Sequence, residues 1–213
     1  MQVAYRTEVG HVRQRNEDAL LARPERGVLA VADGLGGHPA GDVASMTAIS
    51  SLDHASLTGE SAEEELRAAT QAAHEAVVAA ADEDPGRAGM GTTLVLAVVS
   101  GSTARILHVG DSRAYLLDDG GGLRALTEDH GVNGYLSQAL GLDRAVEPDV
   151  VEIECPAGSR LLLCTDGLTN MVDDPAIADL LGRAEAQHAC DGLVEAALDN
   201  GGIDNVTVIV LAF

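Results

Sequence analysis

The stretch TTLVLAVVSGSTARILHVGDSRAYLL, Thr92 to Leu117, decides the fold class. It holds three apolar runs, Thr92 to Ser100, Ala104 to Val109 and Ala114 to Leu117, joined by short turns that contain Gly or Asp. Runs this short, bounded by turn residues, predict three consecutive strands in a meander. Upstream, Val3 to Val9, Ala19 to Arg23 and Val28 to Ala32 are further strand candidates, and Pro24-Glu25-Arg26-Gly27 makes the last two a hairpin. From Gly41 the period changes: Val43, Met46, Ile49 and Leu52 recur at helical spacing. A second helix is predicted to open at Ser61, with Glu64 completing a capping box, an inner face of Leu66, Ala69, Ala73, Val77 and Ala80, and a stop at Asp84-Pro85-Gly86.

Downstream, strands are predicted at Val150 to Glu154, Arg160 to Cys164 and Val206 to Ala212. One helix starts at Asp174, an N-cap before Pro175, and another spans about Ala184 to Leu198 before Asn200-Gly201-Gly202. Strands in succession, with helices grouped in pairs, predict an α+β sandwich with sheets inside and helices outside, not alternating βαβ units.

The 213 residues suit one domain, and 46% hydrophobic content suffices for a core. Thirty-four acidic against 13 basic residues give a formal charge of −21, which opposes binding to nucleic acid or an anionic membrane surface and favours metal cations or a basic partner. Every basic residue is arginine, a bias that suggests a GC-rich bacterial source. Cys155, Cys164 and Cys190 show no CxxC spacing, so neither a disulfide framework nor a zinc site is expected. His11, His54, His74, His108, His130 and His188 lack HxH or HxxxH spacing, and a histidine metal site is not expected. The N-terminus lacks a signal peptide pattern, and no stretch nears the roughly 20 apolar residues of a membrane span. A cytoplasmic monomer is expected, since no large exposed apolar stripe is legible.

Among the carboxylates, five stand at the ends of apolar strand candidates. Asp18 precedes Ala19-Leu20-Leu21, Asp33 follows Val28 to Ala32, Asp111 follows Ile106 to Gly110, Asp166 follows Leu161 to Thr165, and Asp204 comes just before the final strand. Desolvated carboxylates are costly unless cations compensate, and hard divalent ions such as Mg²⁺ or Mn²⁺ do so. In Asp33-Gly34 and Asp166-Gly167 the glycine is expected to let the chain turn sharply and leave a carbonyl open for coordination.

Seven segments carry a family resemblance: Arg13 to Asp18, Ala32 to His38, Gly91-Thr92-Thr93, Val109 to Arg113, Leu126 to His130, Cys164 to Leu168 and Asp204 to Val208. In this order they resemble the bacterial metal-dependent Ser/Thr protein phosphatases of the type 2C (PPM) family, from about residue 6 to the C-terminus. The resemblance implies a four-layer α-β-β-α sandwich of two antiparallel sheets flanked by helix pairs. It implies a binuclear Mn²⁺ or Mg²⁺ centre in which Asp33 bridges, the Gly34 carbonyl and water backed by Asp18 complete one ion, and Asp166 and Asp204 hold the other. Asp111 with Asp166 matches a third, weaker site, and Arg13 matches the arginine that grips the substrate phosphate. A metal-bridging hydroxide would then attack phosphorus. Glu17, His38 and Asn205 are expected just behind these residues.

Three departures from the family pattern stand out. Leu35 occupies the position of a histidine that is a candidate general acid in many eukaryotic members, leaving His38 as the nearest substitute. Only Gly131 to Tyr135 separate Asp129-His130 from Leu136 to Gly141, where bacterial relatives carry a helical flap. Gly131 and Gln138 replace the usual serine and arginine of that region. The implied activity is hydrolysis of phosphoserine or phosphothreonine on proteins, opposing a bacterial kinase. The alternatives are a catalytically weak phosphoprotein-binding module and a partner-switching phosphatase acting on a phosphoserine anti-sigma antagonist.

Overall fold

The computed structural model describes residues 2–35, 40–132, 135–142, 145–183 and 185–213. One sheet contains strands β1 (Gln2–Glu8), β12 (Val206–Ala212), β11 (Arg160–Cys164), β6 (Arg113–Leu117) and β7 (Leu123–Ala125), in that order. The other contains β10 (Asp149–Glu154), β5 (Thr103–Val109), β4 (Leu94–Ser100), β3 (Val28–Asp33) and β2 (Asp18–Arg23). Both are antiparallel throughout. Helices α1 (Gly41–His54) and α2 (Glu63–Asp82) cover the second sheet, while α4 (Asp174–Leu181) and α5 (Ala186–Asp199) cover the first.

Alternation along β3 shows why its sequence is apolar without interruption. Val28, Ala30 and Ala32 pack under the helices, whereas Leu29 and Val31 face the opposing sheet with Val95, Ile106, Leu163 and Ile209. A strand covered on both faces has no polar side to display. The expected four-layer sandwich is therefore present, with three apolar interfaces between its layers.

The meander does not survive intact. β4 and β5 pair as a hairpin, but β6 joins the other sheet between β11 and β7. Gly110, at φ +107°, carries the chain across, and a Cβ there would stand 2.7 Å from the Thr93 side chain. Asp111 consequently sits at the crossing between the two sheets.

Helix ends shift by one residue. Ala62 caps α2 with no side-chain acceptor, and only the reverse half of the expected box forms, with the Ala62 N–H donating to Glu65 at 2.7 Å. Ser61 instead accepts from the Thr58 N–H. On α4 the N-cap is Asp173, which accepts from the Ala176 N–H at 3.0 Å. On α1 the buried stripe is Ala44, Ala48, Ile49 and Leu52, and Met46 is 64% exposed, because the helix lies close on the sheet through small residues. The sequence reading also missed β7, the one-turn helix α3 (Asp166–Thr169) and the pairing of β8 (Gly131–Val132) with β9 (Tyr135–Leu136), in the stretch where bacterial relatives carry a helical flap. The three cysteines are free and buried, with thiol pKa values raised by burial to about 11 for Cys155 and about 12 for Cys164 and Cys190. Among the described residues no helix is long and apolar enough to cross a membrane.

Candidate functional site

Pairing of β2 with β3 sets Asp18 directly opposite Asp33. Asp166 follows β11, with Thr165 between, and opens α3, while Asp204 lies just before β12, the neighbour of β11. Strand ends from both sheets thus converge on one edge of the sandwich, and the carboxylates repel one another there. Asp33 is pushed well above the ordinary carboxylate range by burial and by the charges of Asp18 and Asp166. Asp18 rises to about 7, chiefly through burial and against the pull of two hydroxyl donors. Asp166 is raised by burial and by Asp204, and Asp111 rises to about 6 through burial and the charges of Asp166 and Asp129.

Threonines whose role the sequence reading missed hold these carboxylates. Thr165 and Thr207 donate to Asp18 Oδ2 at 2.9 and 2.7 Å. The backbone N–H of Asp33 donates to Thr93 Oγ1 at 3.0 Å, and Thr92 Oγ1 donates to the Asp33 carbonyl at 2.8 Å. Asn170 Nδ2 donates to Asp166 Oδ2 at 3.0 Å. Thr92, Thr93, Thr165 and Thr207 all stand inside quoted motifs, and their polarity within apolar runs was the available signal.

Asp18 Oδ1 and Asp166 Oδ1 are buried without any hydrogen-bond partner. Two orphaned carboxylate oxygens among mutually repelling acids form an all-oxygen donor set that fits hard divalent cations. Asp204 differs: its Oδ2 accepts from Arg13 at 2.6 Å and its Oδ1 from the Asn205 N–H at 2.8 Å.

Arg13 lies in the loop between β1 and β2, and buried Asn205 fixes that loop. Asn205 Nδ2 donates to the carbonyls of Val9 and Arg15 at 2.8 and 3.0 Å, and its Oδ1 accepts from the Glu17 N–H at 2.8 Å. The Glu17 carboxylate stands 3.5 Å from Arg13, while its carbonyl accepts from the Gly34 N–H at 3.0 Å and from Ser45 at 2.6 Å. Arg15 pairs with Asp42 at 3.3 Å and is not part of the cluster.

Both Asp-Gly glycines are required by space, not by a special φ. A Cβ at Gly34 would lie 2.2 Å from the Gly41 carbonyl oxygen, and one at Gly167 1.9 Å from that of Asn205. Neither glycine is among those with positive φ, so the expected sharp turn is replaced by close backbone approach. Arg113 grips Asp129 through two bonds of 2.8 and 2.7 Å, fastening the Asp111 turn to the segment before β8. His38, Gly36 and Gly37 lie outside the described residues.

An α-β-β-α sandwich with a carboxylate cluster suited to divalent cations at its edge places the chain among metal-binding proteins. Residues 8–199 match the family model described as Protein phosphatase 2C, and the chain belongs to that family. It is 37% identical over 232 aligned positions to the serine/threonine protein phosphatase PstP of Mycobacterium tuberculosis, covering 99% of this chain and 44% of that protein. The chain thus spans less than half the length of that relative. It is 36% identical over 241 positions to the serine/threonine phosphatase Stp of Listeria welshimeri, covering 99% of this chain and 95% of that one. Both alignments exceed the 213 residues of the chain, so these relatives carry residues that it lacks. The solved catalytic domain of PstP in complex with two manganese ions superposes with a TM-score of 0.89 at 38% identity, covering 98% of this chain and 96% of that one.

Proposed function

We propose that the chain is a metal-dependent protein phosphatase that hydrolyses phosphoserine and phosphothreonine on proteins, with residues 1–213 as one catalytic domain. The observation that carries this reading is the frustrated cluster of Asp18, Asp33 and Asp166, whose raised pKa values and orphaned oxygens call for cations. Two divalent ions, Mn²⁺ or Mg²⁺, supply charge neutralisation and an activated water when bound. Asp33, the Gly34 carbonyl, Asp166 and Asp204 would hold them, with Asp18 orienting water beside Asp33. Asp111 faces Asp166 and would serve a weaker third ion.

The chain's own residues supply the remaining functions. Arg13, held in the structure by Asp204 and Glu17, presents a guanidinium that binds the substrate phosphate and neutralises its equatorial oxygens. Asn205 keeps the Arg13 loop at its distance from β12, and Thr165 with Thr207 keeps Asp18 in one rotamer. Leu35 has no proton to give, so the leaving alkoxide takes its proton from water or from His38. The buried, protonated thiols take no part as nucleophiles.

The extra residues of PstP and Stp would fall at the flap, where this chain has only the short pairing of β8 with β9. The substrate is a phosphoprotein made by a bacterial Ser/Thr kinase, and the enzyme works as a cytoplasmic monomer. The test is hydrolysis of p-nitrophenyl phosphate and a phosphothreonine peptide with Mn²⁺, Mg²⁺ or EDTA, beside Asp166→Asn. Cation-dependent turnover that the substitution abolishes is expected. A folded protein inactive with either ion would refute catalysis and leave a phosphoprotein-binding module.

A further inference from the structure

His108, near the end of β5, is 1% exposed, and neither of its ring nitrogens has a hydrogen-bond partner. A neutral imidazole buried with both nitrogens unsatisfied is unfavourable unless something outside the protein completes it. Two other groups face it from separate segments. Asp149 opens β10 and pairs with His108 in the sheet register, and His130 precedes β8 with its ring centroid 4.6 Å from that of His108. One nitrogen from each histidine and one oxygen of Asp149 all lie within 4.8 Å of one another. His130 Nε2 already stands 3.0 Å from Asp149 Oδ2, while its Nδ1 has only a long 3.4 Å contact from the Gly110 N–H. A cavity of about 350 Å³, lined in part by His108, Thr127, Glu128 and Asp149, opens beside the group.

We propose that His108, His130 and Asp149 form a binding site for one divalent transition ion of the zinc class, separate from the carboxylate cluster. Two imidazoles and one carboxylate select borderline ions such as Zn²⁺, whereas the all-oxygen cluster suits Mg²⁺ and Mn²⁺. Ligand atoms about 2 Å from a tetrahedral ion stand roughly 3.3 Å apart, so closing this group requires movements on the order of 1 Å. Three protein ligands leave a fourth position for water, which the cavity accommodates. Burial supports the assignment, since it holds His108 neutral with a lone pair to donate.

The ion would tie β5 and β10 to the segment entering β8. That segment already touches the catalytic edge, because the His130 N–H donates to the Gly110 carbonyl at 2.7 Å, next to Asp111. Occupancy would therefore stiffen the Asp111 turn at the place where β8 pairs with β9.

The test uses the full chain, stripped with chelator and dialysed against Zn²⁺ in large excess Mg²⁺, with bound zinc counted by mass spectrometry. One Zn²⁺ per chain that Mg²⁺ does not displace is expected. His130→Gln and Asp149→Asn, both at positions with solvent access, should each weaken it about tenfold or more. Asp166→Asn should leave it unchanged. Co²⁺ in place of Zn²⁺ should give the visible absorption of a four-coordinate ion, lost in the same two variants. No retained zinc in the folded wild type, undiminished binding in both variants, or loss in Asp166→Asn would each overturn the site.

Discussion

Replacing Asp18 by Asn should stabilise the metal-free protein at pH 8. The Asp18 carboxyl has its pKa raised from 3.8 to about 7, chiefly by burial and further by the charges of Asp166 and Asp204. At about 1.4 kcal/mol per unit, keeping it ionised in the folded state costs about 4 kcal/mol. Asp33 and Asp166 titrate with it, so removing one charge returns about half of that, ~2 kcal/mol, or about 4–8 °C in Tm. The amide keeps an oxygen for Thr165 and Thr207, and its NH₂ replaces the orphaned Oδ1 where neighbouring carboxylates can accept. With Mn²⁺ at a hundred times Kd, the wild type gains about 2.7 kcal/mol per site and the variant less, so the order of stability reverses.

The pH dependence carries the same sign. Between about pH 4 and pH 7 the folded state holds a proton on Asp18 that the unfolded chain has lost, so metal-free stability falls as pH rises through that window. Wild type in EDTA should be about 2 kcal/mol more stable at pH 5.5 than at pH 8, and Asp18→Asn should lack that component. Thermal melts followed by circular dichroism, in EDTA and in MnCl₂ at both pH values, measure all of this. A variant no more stable than wild type in EDTA at pH 8 would refute the claim that this carboxylate is held at a cost.

Two further substitutions probe other parts of the edge. Arg13→Ala should raise KM for p-nitrophenyl phosphate about tenfold, with a smaller change in kcat, as steady-state kinetics would report; an unchanged KM removes Arg13 from phosphate binding. Gly34→Ala places a methyl 2.2 Å from the Gly41 carbonyl oxygen and 2.7 Å from that of Glu17. It should cost about 1–3 kcal/mol in denaturant unfolding and disturb Asp33, and a wild-type midpoint would contradict the close approach.

Strand-end aspartates were legible because strands buried on both faces leave uninterrupted apolar runs, against which a terminal carboxylate stands out. Arg13 and Asn205 were legible only through the order of motifs, since nothing in Arg13 to Glu17 alone says that Asn205 clamps this loop from 190 residues away. The apolar period of α1 is legible as helical, but not which residues meet the sheet, because Ala44 and Ala48 carry little hydrophobic signal and yet govern how closely the helix lies on it.

By itself the sequence determined the α+β class, most of the strands, the acidic edge and the family resemblance, all of which rest on local composition, period and order. Tertiary structure alone decided that β6 leaves the β4–β5 hairpin for the other sheet, because a Gly-Asp-Ser turn is equally compatible with staying or crossing. It also decided that Thr165 and Thr207 share one carboxylate, and that His108, His130 and Asp149 meet. These side chains come from distant segments with no common spacing, and only sheet pairing and the folding back of the residue 127–131 segment bring them together.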